Sequence, residues 1–193
     1  RHRVFFIGFR SDLTTDWSFP KPTHMEGTRL AKLHAKAGGA GDKSLKGISP
    51  WVPLRDAIGD LPAPSDKAKK KWPNHLLQNG AKSYPGHTGS PLDRPAKALK
   101  AGAHGVPGGE NMILYPDGTV RYLSVRESAR VQTFPDNYVF LGSWTEAMRQ
   151  LGNAVPVKLA EIVGKSVAKA LGESDSTGSG KRGMGISELA AHE

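Results

Sequence analysis

The stretch RYLSVRESARVQTFPDNYVFLGSWTEAMRQLGNAVPVKLAEIV, residues 121–163, contains the clearest local folding signals of the chain. Two serines within it are each followed by a glutamate three residues later, Ser124 by Glu127 and Ser143 by Glu146. At this spacing the serine hydroxyl accepts from the backbone N–H of the glutamate while the carboxylate reaches back, which forms a capping box at a helix N-terminus. The pattern predicts two short helices in succession.

A loop and a third helix are predicted after the second capping box. The loop ends in Gly152-Asn153-Ala154-Val155-Pro156, where the glycine permits close backbone approach and the proline suits the first turn of a helix. The residues after Pro156 place one apolar stripe on a helix, made of Leu159, Ile162, Val163, Val167, Ala170 and Leu171. Beyond Leu171 the composition is typical of a flexible segment.

Short apolar runs elsewhere predict strands joined by long loops. Val4–Ile7 suits a buried strand, and Met112–Tyr115 and Val120–Leu123 flank a Pro-Asp-Gly-Thr turn, as expected of a hairpin. Trp51–Leu61 has the spacing of a short helix closed by glycine. Because 23 glycines and 14 prolines occur among 193 residues, much of the chain should be loop. The predicted fold class is α+β.

Positive charge is concentrated in one segment of low periodicity. The chain carries a net charge of +9, and residues 21–104 contain 15 Lys and Arg against 6 Asp and Glu, so this segment holds the whole excess. A merely soluble surface is the simpler explanation, but clustered charge of this size favours a polyanionic partner, and nucleic acid is the better interpretation. Lys69, Lys70 and Lys71, beside Trp72, are the densest part of the cluster and are candidates for phosphate contact.

Several protein classes are excluded by composition. The 193 residues include no cysteine, which excludes a disulfide scaffold, a thiolate metal site and a cysteine nucleophile within them; no metal site is predicted. No apolar run approaches the length of a membrane span, so no membrane partner is expected, and a cytoplasmic protein is predicted. Because numbering begins at Arg1, we expect a trimmed chain or a fragment of a longer one.

The order of these motifs resembles that of the cytosine-5 DNA methyltransferases. Arg121–Asp136 resembles their motif IX, Gly152–Pro156 resembles motif X, and Arg1–Gly8 resembles motif VIII without its leading glutamine. The resemblance implies that Arg1 and Arg3 organise the pocket of the extruded cytosine, with Arg3 on the base and the adjacent phosphate. It implies that Arg126 and Glu127 hold the motif IX helix and the recognition loops together.

The resemblance also implies a cofactor site and a DNA-recognition region. Asn153, Ala154 and Val155 of motif X would complete a site for S-adenosylmethionine. Residues 93–101 match a stretch that usually carries Thr-Leu, whose threonine contacts phosphate, but Ala98 stands here instead. Lys97 or Lys100 would then take the phosphate, and the following glycine-rich loop would bring base-reading side chains from His104, Glu110 and Asn111 to a groove.

The resemblance divides the chain into four parts, and it implies that other parts of a complete enzyme are absent from these residues. Residues 1–10 would end a catalytic-domain strand, 11–151 would form a small loop-rich, β-containing target recognition domain including motif IX, 152–172 would be the motif X loop and helix, and 173–193 a flexible tail. The terminal helix would pack on an absent Rossmann-like catalytic domain. The Pro-Cys nucleophile motif is also absent, so the chain would be inactive without a complementary subunit or N-terminal half.

The implied function is part of a bacterial or phage DNA (cytosine-5-)-methyltransferase in restriction-modification, acting on double-stranded DNA. Two alternatives stay open. A stand-alone DNA-binding module would explain the charge but would leave the apolar stripe of the last helix uncovered. Part of an RNA cytosine methyltransferase would use similar motifs, although the long basic insertion favours a DNA recognition domain.

Overall fold

The computed structural model describes residues 4–13, 15–36, 45–101 and 108–177, with side chains described to residue 172. These residues form two compact units, one drawn from residues 21–160 and one from the described parts of residues 4–20 and 161–177. The helices are α1 Gly27–Lys36, α2 Leu54–Ile58, α3 Asp66–Lys71, α4 Val125–Val131, α5 Trp144–Asn153 and α6 Val157–Thr177. The strands are β1 His24–Met25, β2 Ser49–Pro50, β3 Ser90–Pro91, β4 Met112–Leu114 and β5 Val120–Tyr122. The predicted α+β class is confirmed.

The larger unit is built around a three-stranded sheet. Strand β3 runs parallel to β4, and β4 pairs antiparallel with β5, so that Ile113 lies opposite Arg121. The predicted hairpin is confirmed: the Asp117 carboxylate accepts hydrogen bonds from the backbone and hydroxyl of Thr119, and Gly118 has a φ of +83°. A second, two-stranded sheet pairs β1 and β2 in parallel.

One hydrophobic core joins the sheet to α2, α4 and α5. The buried apolar residues of this core are Leu54, Ile58, Leu99, Ile113, Leu123, Val125, Ala129, Phe140, Ala147, Met148 and Leu151. They come from widely separated parts of the sequence, and through Leu99 the segment after β3 shares this core with α4 and α5. The core therefore joins α2, the three-stranded sheet, α4 and α5 in one body.

Several local predictions differ from the structure. Val4–Ile7 is not a buried strand: burial alternates along it, and the exposed fractions of Val4 and Phe6 are 78% and 93%. A strand buries such side chains only when neighbouring strands cover it, and no described residue pairs with this segment. Helix α2 is shorter than predicted, and Gly152 and Asn153 end α5 rather than belonging to the loop.

Two helices form where the sequence showed little periodicity. Helix α1 buries only Leu30 and α3 buries only Ala68, so neither has a wide apolar stripe. Helix α3 instead begins at a cap, because the Ser65 hydroxyl accepts from the backbone N–H of Ala68. Helices that bury a single residue leave almost no periodic signal in the sequence.

In the smaller unit, Trp17 holds the N-terminal segment on α6. Its ring lies 4.7 Å from that of Phe19 and 6.1 Å from that of Phe9, and its indole N–H donates to the Ser166 hydroxyl at 3.1 Å. The side chains of α6 are only partly covered: Ile162 is 40% and Leu171 38% exposed. Among the described helices, none combines the length and apolar character needed to cross a membrane.

Candidate nucleic-acid interface

Helix α4 is anchored by the predicted capping box. The Ser124 hydroxyl accepts from the Glu127 backbone N–H at 3.1 Å, and the Glu127 carboxylate accepts from the Ser124 backbone N–H at 2.8 Å. The same carboxylate takes two hydrogen bonds from the Arg121 guanidinium, at 2.7 and 2.6 Å. Burial works to lower the pKa of Arg121, but the contact with Glu127 outweighs it and raises that pKa. Glu127 therefore ties the helix start to β5.

Arg126 connects this helix to two loops. Its side chain is fully buried and donates to the backbone carbonyls of Pro73, Pro135 and Tyr138, at 2.9, 3.1 and 2.6 Å. Burial lowers the pKa of the guanidinium below its usual value. Arg126 and Glu127 thus hold helix and loops together through hydrogen bonds, as the motif IX resemblance implied.

His75, which belongs to no motif and no periodic pattern, completes this frame. The imidazole is fully buried, with Nε2 at 2.6 Å from the Pro62 carbonyl and Nδ1 at 2.8 Å from the Ser124 hydroxyl. A carbonyl can only accept, so Nε2 carries the proton, and the Ser124 hydroxyl donates to Nδ1 while accepting from Glu127. Its neighbour Asn74 pairs its side-chain amide with both backbone groups of Phe140, each at 2.9 Å.

The three lysines of the α3 cluster lie on the surface of the same unit. Lys69, Lys70 and Lys71 are exposed and form the last turn of α3. Among the described residues none of the three makes an ion pair, and Lys71 Nζ lies 5.5 Å from the centre of the Trp72 ring. The Arg130 guanidinium also lies close to Trp72, 5.1 Å from the centre of the same ring.

Arg130 is not available for a phosphate in the way the lysines are. Its guanidinium makes two hydrogen bonds to Asp136, at 2.8 and 2.7 Å, and pairs with Asp60. These contacts raise the pKa of Arg130 and lower that of Asp136. Of the two cations next to Trp72, Arg130 is therefore neutralised by carboxylates, whereas Lys71 makes no ion pair among the described residues.

The predicted recognition residues gather near β3 and β4. Lys97 is exposed, and its Nζ donates to the Thr88 hydroxyl at 3.0 Å. Lys100 pairs with Glu110 at 3.0 Å. Burial opposes ionisation of Glu110, but its contact with Lys100 lowers the carboxyl pKa overall. Of the two lysines proposed for phosphate contact, Lys97 therefore keeps its charge uncompensated by Glu110, whereas Lys100 does not.

The remaining predicted site residues differ in how they are placed. Asn111 is fully buried and its side-chain oxygen accepts from the Lys100 backbone N–H at 3.3 Å. Base contact by Asn111 stays a prediction, and it would require this turn to open. Arg1, Arg3 and His104 lie outside the described residues.

The end of α5 brings the motif X residues against the recognition segment. A side chain at Gly152 would place its Cβ 2.7 Å from the Lys100 carbonyl oxygen, so only glycine allows the two backbones to approach this closely. The side-chain amide of Gln132 donates to the Leu151 backbone carbonyl at 2.6 Å, and the backbone carbonyl of Gln132 accepts from the Val157 backbone N–H at 3.0 Å. Asn153 is exposed, and Ala154 and Val155 are partly buried.

A turn that sequence reasoning missed lies beside Lys97. Tyr84 and His87 close it through two backbone hydrogen bonds, and their rings lie 4.1 Å apart. The Gly109 backbone N–H donates to His87 Nδ1 at 3.1 Å. A histidine isolated in an irregular sequence gives no periodic or motif signal, which is why it could not be found before the structure.

The elements described above lie within a match to a known family. The family model described as C-5 cytosine-specific DNA methylase covers residues 1–169 of the 193. The chain belongs to the C-5 cytosine-specific DNA methylase family. The helix α4 frame, the sheet and the α5–α6 connection are thus parts of a C-5 cytosine-specific DNA methylase.

Type II methyltransferases from several organisms are similar to this chain. M.MthTI of Methanothermobacter thermautotrophicus is 32% identical over 196 residues, covering 89% of this chain and 52% of that protein. M.BspRI of Lysinibacillus sphaericus is 31% identical, covering 88% and 39%. M.Sau96I of Staphylococcus aureus is 49% identical over 188 residues, covering 90% and 40%. The chain spans about half or less of the length of these relatives.

No metal centre is formed by the parts of the chain that the structure describes, since no three His, Asp or Glu side chains gather there in an arrangement that could hold an ion.

Proposed function

We propose that this chain is the C-terminal, DNA-recognising and cofactor-completing portion of a DNA (cytosine-5-)-methyltransferase that works in restriction-modification. The observation that carries the proposal is the single packed body that joins the motif IX helix, the end of α5 and the basic recognition segment. In the complete enzyme, a methyl group would pass from S-adenosylmethionine to C5 of a cytosine in double-stranded DNA. We place the protein in the cytoplasm of a bacterial or phage-infected cell.

Duplex DNA would be held by the cationic side chains of the larger unit. Lys69, Lys70, Lys71 and Lys97 are exposed, and the segment that carries them holds the whole net charge. Phosphate contacts of this kind position a protein on DNA without reading sequence. We propose that Arg1 and Arg3 act on the extruded cytosine, since a fixed guanidinium can donate to its carbonyl oxygen as charge develops on the ring.

S-adenosylmethionine supplies the methyl group when bound, and the motif X residues fit a supporting role. Asn153 offers an exposed amide with both donors and an acceptor, and Ala154 and Val155 are partly covered beside it. The start of α6 is fixed next to them by the Lys158 backbone N–H, which donates to the Thr133 hydroxyl at 2.9 Å. These residues would hold one side of the cofactor and leave the rest of its site to the catalytic half.

The cysteine nucleophile must come from outside these 193 residues, because they contain none. We propose a Rossmann-like partner, either a second subunit or an N-terminal half, that carries a Pro-Cys motif. The alternating exposure of residues 4–10 suits a strand that completes the sheet of such a domain, with Val4 and Phe6 covered on docking. In this division, residues 11–151 recognise DNA and residues 152–172 close the cofactor site.

Reconstitution tests the proposal directly. The purified chain should transfer no methyl group from labelled S-adenosylmethionine to duplex DNA, and addition of a catalytic half from a relative should restore transfer. A catalytic half whose Pro-Cys cysteine is replaced by serine is the matched control and should stay inactive. Methylated cytosine formed by the chain alone would contradict the division of labour, and preferential methylation of RNA over duplex DNA would contradict the substrate.

Neutralising the α3 cluster should weaken binding without changing sequence preference. We expect the triple variant Lys69→Gln, Lys70→Gln, Lys71→Gln to bind all duplexes less tightly. It forms fewer phosphate contacts, and binding therefore releases fewer counterions from the DNA. The slope of log K against log salt concentration should fall by about 0.9 for each phosphate contact removed. The double change Lys165→Gln, Lys169→Gln, at exposed positions of α6 outside residues 21–104, is the control and should leave the slope unchanged. An unchanged slope in the α3 variant would show that its lysines are only solvated.

A further inference from the structure

We infer that His87 is a base-reading residue, whose Nε2–H donates to the acceptor edge of a guanine in the major groove. This inference rests on the proposed function, because it names the part of the duplex that one side chain would recognise. It is carried by the turn of residues 84–88, called here the Tyr84–Thr88 turn, which the sequence did not single out.

The C-terminal side of the Tyr84–Thr88 turn is packed closely against the backbone of Gly109 and Ile113. At Gly109 an added Cβ would lie 2.5 Å from the Cα of His87, so the backbone of the 3-10 turn Gly109–Asn111 is pressed against the histidine. At Gly89, where φ is +74°, an added Cβ would lie 3.0 Å from the backbone of Ile113. Only glycine, which has no Cβ, allows two backbone segments to approach this closely at these two positions. The close packing holds the turn in one position. The backbone that carries the His87 ring is therefore held in a fixed position.

The orientation and tautomer of the His87 ring are also determined. The Gly109 backbone N–H donates to Nδ1 at 3.1 Å, and a backbone N–H can only donate, so Nδ1 is unprotonated and the proton lies on Nε2. The Tyr84 ring, 4.1 Å away and inclined by 30°, fixes the plane of the imidazole. The result is a single neutral donor whose direction is set by the protein.

That donor is free among the described residues. No described side chain or backbone group accepts from Nε2, and the His87 side chain is partly exposed. Glu110, which lies close enough to interact with His87, is paired with Lys100 through Oε1, and its buried Oε2 accepts no hydrogen bond from the described residues. Nε2 of His87 is therefore a preorganised donor, close to the exposed Lys97, that is available for a ligand.

The chemistry of the surrounding side chains favours a base edge over a phosphate for His87. Lys97 and the Thr88 hydroxyl, 3.0 Å apart, already offer an ammonium and a hydroxyl for a phosphate next to the turn. A neutral imidazole adds little attraction for an anion, but its fixed N–H suits a directional hydrogen bond. Guanine presents two acceptors, N7 and O6, at its major-groove edge, whereas adenine presents N7 beside a donor. Guanine is therefore the better match.

The test compares two substitutions that keep different halves of the imidazole. In His87→Asn the side-chain oxygen can take the place of Nδ1 and still accept from Gly109, but nothing occupies the position of Nε2. In His87→Gln the amide nitrogen reaches the position of Nε2, while the contact to Gly109 is lost. His24→Asn makes the same chemical change at an exposed histidine elsewhere in the same unit and serves as the control.

Each variant, reconstituted with the catalytic half, would be presented with a randomised duplex library, and the bound DNA sequenced. We expect His87→Asn to melt at the wild-type temperature and to lose about fivefold of its preference at one G·C pair, the lower end of the range for a base contact. His87→Gln should keep part of that preference, and His24→Asn all of it. Of two guanine analogues, 7-deazaguanine lacks the N7 acceptor and 2-aminopurine lacks O6, and at least one of them should weaken wild-type binding and leave His87→Asn unaffected. Hypoxanthine keeps both acceptors and should be bound by the wild type as guanine is.

Three results would overturn the inference. Unchanged preference in His87→Asn would show that the side chain reads no base. A uniform loss across all sequences, with a shallower salt dependence, would show that His87 contacts phosphate instead. If the wild-type complex enriches no sequence at all, the proposed DNA-recognition function itself fails, and the inference with it.

Discussion

Replacement of Arg126 by methionine should lower the free energy of unfolding of the larger unit by about 3–5 kcal/mol. The guanidinium is fully buried and is the donor for the carbonyls of Pro73, Pro135 and Tyr138. Methionine has a similar length but no donor, so three acceptors lose their partner together, and each buried polar group left without a hydrogen bond costs about 1–3 kcal/mol. A domain of this size has about 5–15 kcal/mol of stability in total, so much of it would be lost.

Urea unfolding followed by tryptophan fluorescence would measure the effect, and Arg149→Met is the matched control. Arg149 lies on the surface of α5 and, among the residues that the structure describes, pairs only with Glu146; exposed ion pairs contribute about 0–1 kcal/mol. If Arg126→Met unfolded at the same urea concentration as the control, the carbonyls must find other donors, and the arginine would not hold the loops together.

The parts of the fold that the sequence predicts are those whose signals are local. The capping box at Ser124 and the Asp-Gly turn of the β4–β5 hairpin each depend on residues within a few positions of one another. Their hydrogen bonds form whatever the rest of the chain does, so spacing alone is sufficient to place them. The roles of Arg126 and Glu127 could be stated in advance for a different reason, because the motif IX resemblance implied them.

The parts that the sequence does not predict depend on contacts between distant residues. His75 is identified only by Pro62 and Ser124, which lie 13 and 49 residues away. His87 gains its orientation from Gly109, 22 residues away. Helix α1 buries only Leu30, so it lacks the stripe by which helices are recognised. Where a side chain acts through a partner brought to it by the fold, neither composition nor periodicity carries the information.

The strand predicted at Val4–Ile7 shows a related limit. An apolar run indicates that side chains will be covered, but it does not say by what. In this structure Phe6 is 93% exposed, and no described element lies over it. The same is true of part of α6, and in both places the apolar sequence fits a surface that the proposed catalytic half would cover.

Replacement of Ile162 by aspartate should abolish assembly of this chain with the catalytic half. In α6, Leu159, Ile162, Val163 and Val167 share one face, yet none of them is fully buried and Ile162 is 40% exposed. Burial of each such side chain on docking would contribute up to about 1.5–3 kcal/mol before ordering costs. A carboxylate in the middle of that face would lose this contribution and would also have to be desolvated without a partner.

Ala168→Asp introduces the same carboxylate on the side of α6 opposite Leu159, because nine residues at about 100° each place the two residues about 180° apart around the helix, and Ala168 is exposed. It should assemble normally in a pull-down or in analytical ultracentrifugation with the catalytic half, whereas Ile162→Asp should not. Duplex binding by the isolated chain should survive both changes, since its cations lie in residues 21–104. Circular dichroism separates the two explanations for a loss. If Ile162→Asp unfolded the isolated chain, the stripe would be that chain's own core, and α6 would not be a docking helix. If it stayed folded and still assembled, the catalytic half would bind elsewhere.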